Sequence, residues 1–132
     1  MEYAIGLLLA PSVFAFAHFV GLARDRAFYP TVMIVIAAYY VLFAAIHGSG
    51  KVVLLESIVA SGFTLLAVVG FKKNLWWAAA AIAGHGVFDI FQHLLIENPG
   101  VPVWWPGFCS TFDLVFGALI GWGLLRRPIN QS

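Results

Sequence analysis

Charged side chains are scarce in this sequence: seven Lys and Arg and six Asp and Glu among 132 residues, or 10%. A soluble domain carries about 25%. With 62% hydrophobic residues and a mean hydropathy of +0.94, too few polar groups remain to cover a surface facing water. The solvent of this chain is therefore lipid. The near balance of charge, +1 at pH 7, excludes the basic surface that a nucleic-acid partner needs. A lone cysteine, Cys109, excludes an intrachain disulfide and reads as a small apolar packing residue. Long linkers and internal repeats are missing too, so residues 1–132 read as a single transmembrane helical domain.

What is present is hydrophobic length. Crossing about 30 Å of hydrocarbon takes about 20 helical residues. Five segments reach it, roughly 3–23, 27–47, 52–71, 75–96 and 107–125. The fold class expected is all-α, a polytopic bundle of five transmembrane helices. Ala15-Phe16-Ala17 mimics a signal-peptide cleavage site, but no positive n-region precedes it and Glu2 stands in its place. The first segment is read as a retained span.

The positive charges set the expected orientation. With the N-terminus outside and the C-terminus inside, Arg24, Arg26, Lys72, Lys73, Arg126 and Arg127 all fall on the cytoplasmic side, and only Lys51 falls outside. The expected location is the cell membrane, which in a Gram-negative cell is the inner membrane.

Within the spans, Pro11 frees a backbone carbonyl and predicts a kink. Tyr39 and Tyr40 sit past the middle of the second span, at a depth where hydroxyls need partners. Gly48 is a plausible stop after His47. Ser57, Ser61 and Thr64, and Gly117 with Gly121, form small-residue faces suited to close helix contacts in lipid. The fifth-helix glycines point to a homo-oligomer or a partner membrane subunit. The loop after the fourth span, with three prolines, Trp104 and Trp105, reads as a stiff lid on the outer surface.

The chemistry centres on residues 84–93, GHGVFDIFQH. Residues four apart on a helix advance about 40° and about 6 Å, so His85, Asp89 and His93 share one face. Such groups are costly in hydrocarbon unless paired, hydrogen-bonded or bound to an ion. Under the expected orientation His47, Glu56, Asp89, His93 and Asp113, from four spans, all fall in the outer half, and one shared polar cavity explains this. The first reading is a metal site for zinc or another divalent first-row ion. His85, Asp89, His93 and Asp113 are its ligand pool, and His47 or Glu56 the general base or a supporting group. Three ligands and a water would make it catalytic, for hydrolysis of a lipid-like substrate from the outer side. The second reading is a proton or ion relay in a small transporter. The third is an interhelical hydrogen-bond network in a structural subunit.

Residues 28–37 (FYPTVMIVIA), 84–89 (GHGVFD) and 98–109 (NPGVPVWWPGFC) resemble a family of small, mainly bacterial integral membrane proteins of unknown function. The resemblance implies a membrane location and assigns no activity. A weaker similarity is to membrane hydrolases that include alkaline ceramidases, which hold zinc with three histidines near an aspartate and a serine. His47, His85, His93 and Asp89 or Asp113 would fill comparable roles. Those enzymes have seven spans and their own motif order. The similarity implies lipid-amide or ester hydrolysis.

Overall fold

Five helices follow one another: α1 (Glu2–Val20), α2 (Phe28–His47), α3 (Gly50–Lys72), α4 (Leu75–Leu95) and α5 (Trp105–Arg126). The computed structural model describes residues 2–22, 25, 27–48, 50–96, 98 and 100–126, without the side chain of His93. Arg24, Arg26 and Arg127, used above for orientation, lie outside the described residues.

Local chemistry sets the helix ends. Gly48 adopts φ 91°, and its N–H donates to the carbonyls of Ala44 and Ala45. This left-handed stop suits glycine, which has no Cβ to clash. Asn74 caps α4 by accepting from the Trp76 N–H at 2.8 Å. α5 begins at Trp105, two residues earlier than the hydropathy pattern suggested. Pro106 is tolerated there because the first turn has no use for its missing N–H. α1 runs unbroken through Pro11.

α4 packs on α2, α3 and α5, while α1 packs on α5 and α2 on α3. α1 and α5 run parallel: a Cβ on Gly107 would meet Glu2 and Tyr3, and one on Gly123 would meet Phe14. The bundle thus has two ends. One carries Glu2, His47 and the start of α5; the other carries Lys72, Lys73 and Arg126.

Four helices, α1, α2, α3 and α5, are long and apolar enough to cross a membrane. α4 has comparable length, 21 residues, but its composition is diluted by His85, Asp89, Gln92 and His93. Three of these, His85, Asp89 and Gln92, are buried in the bundle, whereas Val87, Ile90, Phe91 and Leu94 on the same helix are exposed. The polar stripe is turned inward and the outer face is apolar, as a lipid-facing helix requires.

Gly117 lies against Ala79 and Ala83, and Gly121 against Trp76. The α5 glycine face that suggested an oligomer is therefore used within the chain, to seat α4. Toward the Lys72 end the interior is apolar, with Met33, Ala67, Leu75, Ile82, Phe116, Ile120 and Leu124 buried. The buried polar residues Glu56, His85, Asp89, Gln92, Ser110 and Asp113 occupy the other part, from mid-bundle to the Glu2 end.

Candidate metal centre

α4 and α5 run antiparallel, and their i, i+4 faces meet. His85 and Asp89 project from α4; Cys109 and Asp113 project from α5. His85 Nδ1 lies 3.0 Å from Asp113 Oδ2 and 3.4 Å from Asp89 Oδ1. The Cys109 thiol donates to Asp113 Oδ2 at 3.5 Å. From α2, the Tyr40 hydroxyl donates to Asp89 Oδ1 at 2.6 Å. The imidazole is enclosed by the rings of Tyr40, Phe63 and Phe88.

Close approach of the two helices makes this possible. A Cβ on Gly86 would stand 2.9 Å from Leu114 Cγ and 3.0 Å from Asp113 Cβ. Only glycine fits between His85 and its partner helix at this separation.

One ligand atom from each of His85, Asp89, Cys109 and Asp113 falls within 4.8 Å of the others, and all four residues are buried. Donors on a tetrahedral ion, bonded at about 2.0–2.3 Å, stand roughly 3.3–3.8 Å apart. Closing on an ion asks for a contraction of about 1 Å, within reach of side-chain rotation. Nitrogen, oxygen and thiol donors suit zinc and its first-row neighbours. The group can therefore hold a divalent ion. Two further facts fit a cation. Asp89 Oδ2 and Asp113 Oδ1 are buried without a hydrogen-bond partner in the protein, and buried charge demands pairing. Among the described residues no lysine or arginine is buried: Lys51, Lys72, Lys73 and Arg126 are all exposed.

A second polar group sits nearer the Glu2 end. Glu56 Oε2 accepts from Gln92 Nε2 at 2.8 Å and from Asn98 Nδ2 at 2.7 Å. Asn98 also donates to the Tyr40 carbonyl at 3.1 Å, and its Oδ1 accepts from the Gly100 N–H. One loop residue thus ties α2 and α3 to the connection between α4 and α5. Tyr40 links the groups, its carbonyl in one and its hydroxyl in the other.

Of the residues singled out from sequence, the structure brings His85, Asp89 and Asp113 together. Glu56 is buried in the same half but bonds to Gln92 and Asn98, outside the group of four. His47 is exposed on the last turn of α2 and also stands apart from it. The His93 side chain lies outside the described residues. Cys109, expected only to pack, does pack in the apolar core, and its thiol also reaches Asp113. Its i, i+4 spacing to Asp113 was the available signal, the same spacing that joins His85 to Asp89. Tyr40, expected to need a partner, has Asp89.

Two clefts reach the group from different sides. The larger, about 870 Å³, lies between the first turn of α1, the end of α4, the following loop and the start of α5; Asp89 is part of its lining. The other, about 300 Å³, is an apolar crevice between α1, α2 and α5, walled by Leu9, Val32, Val35 and Phe112. Cys109 and Asp113 belong to its lining. Among the described residues, the buried ionisable side chains lie away from the Lys72 end, where Tyr29 brings a buried hydroxyl. No protein family, curated protein or solved structure matches the chain.

Proposed function

We propose that this chain is a five-span protein of the cell membrane, N-terminus outside, that uses a buried divalent ion to hydrolyse a lipid-like substrate from the outer side. One observation carries the reading: the metal-competent group lies where a cleft bearing Glu2, Gln92, Asn98, Ser110 and Thr111 converges with a lipid-side apolar crevice. An amphiphile needs both environments at the bond to be cut. Lys72, Lys73 and Arg126 at one end, against Lys51 at the other, support the orientation. The inward-turned polar stripe of α4 supports a fifth span.

His85, Asp89 and Asp113 are the ligands in this reading. A divalent ion held there would supply a water with its pKa lowered toward about 7 and a Lewis acid for a substrate carbonyl. The Tyr40 hydroxyl orients the Asp89 carboxylate, and the Cys109 thiol orients Asp113, as outer partners of metal ligands do. The aromatic rings around His85 exclude water and strengthen these contacts.

Cobalt(II) substitution of the detergent-purified protein, followed by visible spectroscopy and assay against lipid esters and amides, tests the reading. It expects a cobalt spectrum without an intense thiolate charge-transfer band, together with hydrolysis that His85→Ala abolishes. A thiolate band lost in Cys109→Ala would instead mean four protein ligands. Such a site is closed and structural, with no position for water.

A further inference from the structure

The larger cleft has a one-sided chemistry. Its polar lining residues are Glu2, Tyr3, Asp89, Gln92, Asn98, Ser110 and Thr111, and no lysine or arginine is among its described lining residues. The hydroxyls of Ser110 and Thr111 both donate to the Gly107 carbonyl, which leaves their lone pairs as acceptors. The side-chain amides of Gln92 and Asn98 donate to Glu56. Asp89 also lines the cleft, but its unpartnered Oδ2 belongs to the ion in the reading above. Acceptors still outnumber donors: the Glu2 carboxylate and the Ser110 and Thr111 oxygens stand against the Tyr3 hydroxyl and the second Gln92 N–H.

Glu2 sets the charge at the rim. A Cβ on Gly107 would lie 3.0 Å from its Cγ, so the Glu2 stem rests on the start of α5. Glu2 also lines a neighbouring apolar hollow with Ile5, Leu9, Trp104 and Phe108. It thus stands where polar and apolar surfaces meet at this end of the bundle. The crevice of about 300 Å³ beside α1 and α2 cannot admit a helix, since ten residues of helix about 10 Å wide and 15 Å long occupy over ~1,000 Å³. It can admit a single hydrocarbon chain.

Resting on the reading above, we propose that Glu2 is a specificity-determining residue: the cleft takes the uncharged or cationic, donor-bearing head of a single-chain amphiphile and rejects phosphate heads. A phosphate would meet the Glu2 carboxylate with no cation among the described lining residues to balance it. Like charges brought together in this way oppose binding. A head bearing hydroxyls or an amine satisfies the surplus acceptors instead.

The test is binding to wild type, Glu2→Gln and Glu2→Arg in nanodiscs of uncharged lipid. The two probes share one acyl chain: a monoacylglycerol, and the lysophosphatidic acid that differs from it by a phosphate. Wild type is expected to prefer the monoacylglycerol by at least about tenfold. Glu2→Gln should narrow that ratio, and Glu2→Arg should narrow it further or reverse it. Equal affinities in wild type, no binding of either probe, or a ratio unchanged in Glu2→Arg would each overturn the proposal. Metal content, read on the same samples, should not move with Glu2. Charge selection in a protein that takes up no metal would preserve this inference while removing the hydrolytic one.

Discussion

His85 and Asp113, 28 residues apart in sequence, meet at 3.0 Å through His85 Nδ1 and Asp113 Oδ2, both fully buried. Removing one partner of such a pair strands the other, at a cost of about 3–5 kcal/mol. Asp113→Leu alone should therefore lower the melting temperature in detergent sharply. Replacing both, as His85→Phe with Asp113→Leu, should return much of the stability, because an apolar pair of similar volume needs no compensation. Metal uptake should be lost in both variants. Recovery of stability without metal separates a functional centre from a packing network.

Tyr40 is the next link. Its hydroxyl donates to Asp89 Oδ1 at 2.6 Å. Tyr40→Phe keeps the ring against His85 and Phe88 but leaves that oxygen without its short donor. The expected loss is about 1–3 kcal/mol of stability and roughly 10–100-fold in metal affinity, measured by thermal denaturation and by competition with a chelator.

Two glycines of α4, two residues apart, should behave oppositely. Gly86→Ala places a Cβ 2.9–3.0 Å from Leu114 and Asp113 and forces α4 from α5, at about 1–3 kcal/mol. Gly84 has nothing within 4 Å of such a Cβ, so Gly84→Ala should be neutral or add up to about 1 kcal/mol through helix propensity. Melting temperatures of the two variants, with metal content, decide it.

The legible part of this fold was its apolar exterior. Runs of apolar residues marked five helices to within a few positions, because spanning length is set by the solvent and needs no knowledge of packing. The polar register of α4 was equally legible, since 3.6 residues per turn put His85 and Asp89 on one face. Rotation of one helix against another was not. Whether Asp113 or Glu56 met His85 depended on the closeness permitted at Gly86 and Gly117, which no single segment encodes. His47 shows the limit of reasoning from depth: it lies at the right end of the bundle yet on the outside. Cys109 shows the converse, since hydrophobic packing was the sound reading of a lone cysteine and its register with Asp113 mattered only once α4 was in place.

Metal affinity should rise with pH. His85 Nδ1 lies within 3.0 and 3.4 Å of two carboxylate oxygens, and ligands must shed protons to bind an ion. If one proton leaves per ion, affinity should fall about tenfold per pH unit on the acid side of the transition. Titration in buffers of different ionisation enthalpy would count the protons released; none released on the acid side of the transition would contradict imidazole ligation.

The most direct measurement is the metal content of detergent-purified protein after exposure to zinc and removal of loosely bound ions, for wild type, His85→Ala and His47→Ala. The buried group of His85, Asp89, Cys109 and Asp113 predicts about one zinc per chain in wild type, none in His85→Ala, and retention in His47→Ala, whose side chain stands outside the group. A wild type that emerges metal-free, or a His85→Ala protein that keeps its zinc, would contradict the account.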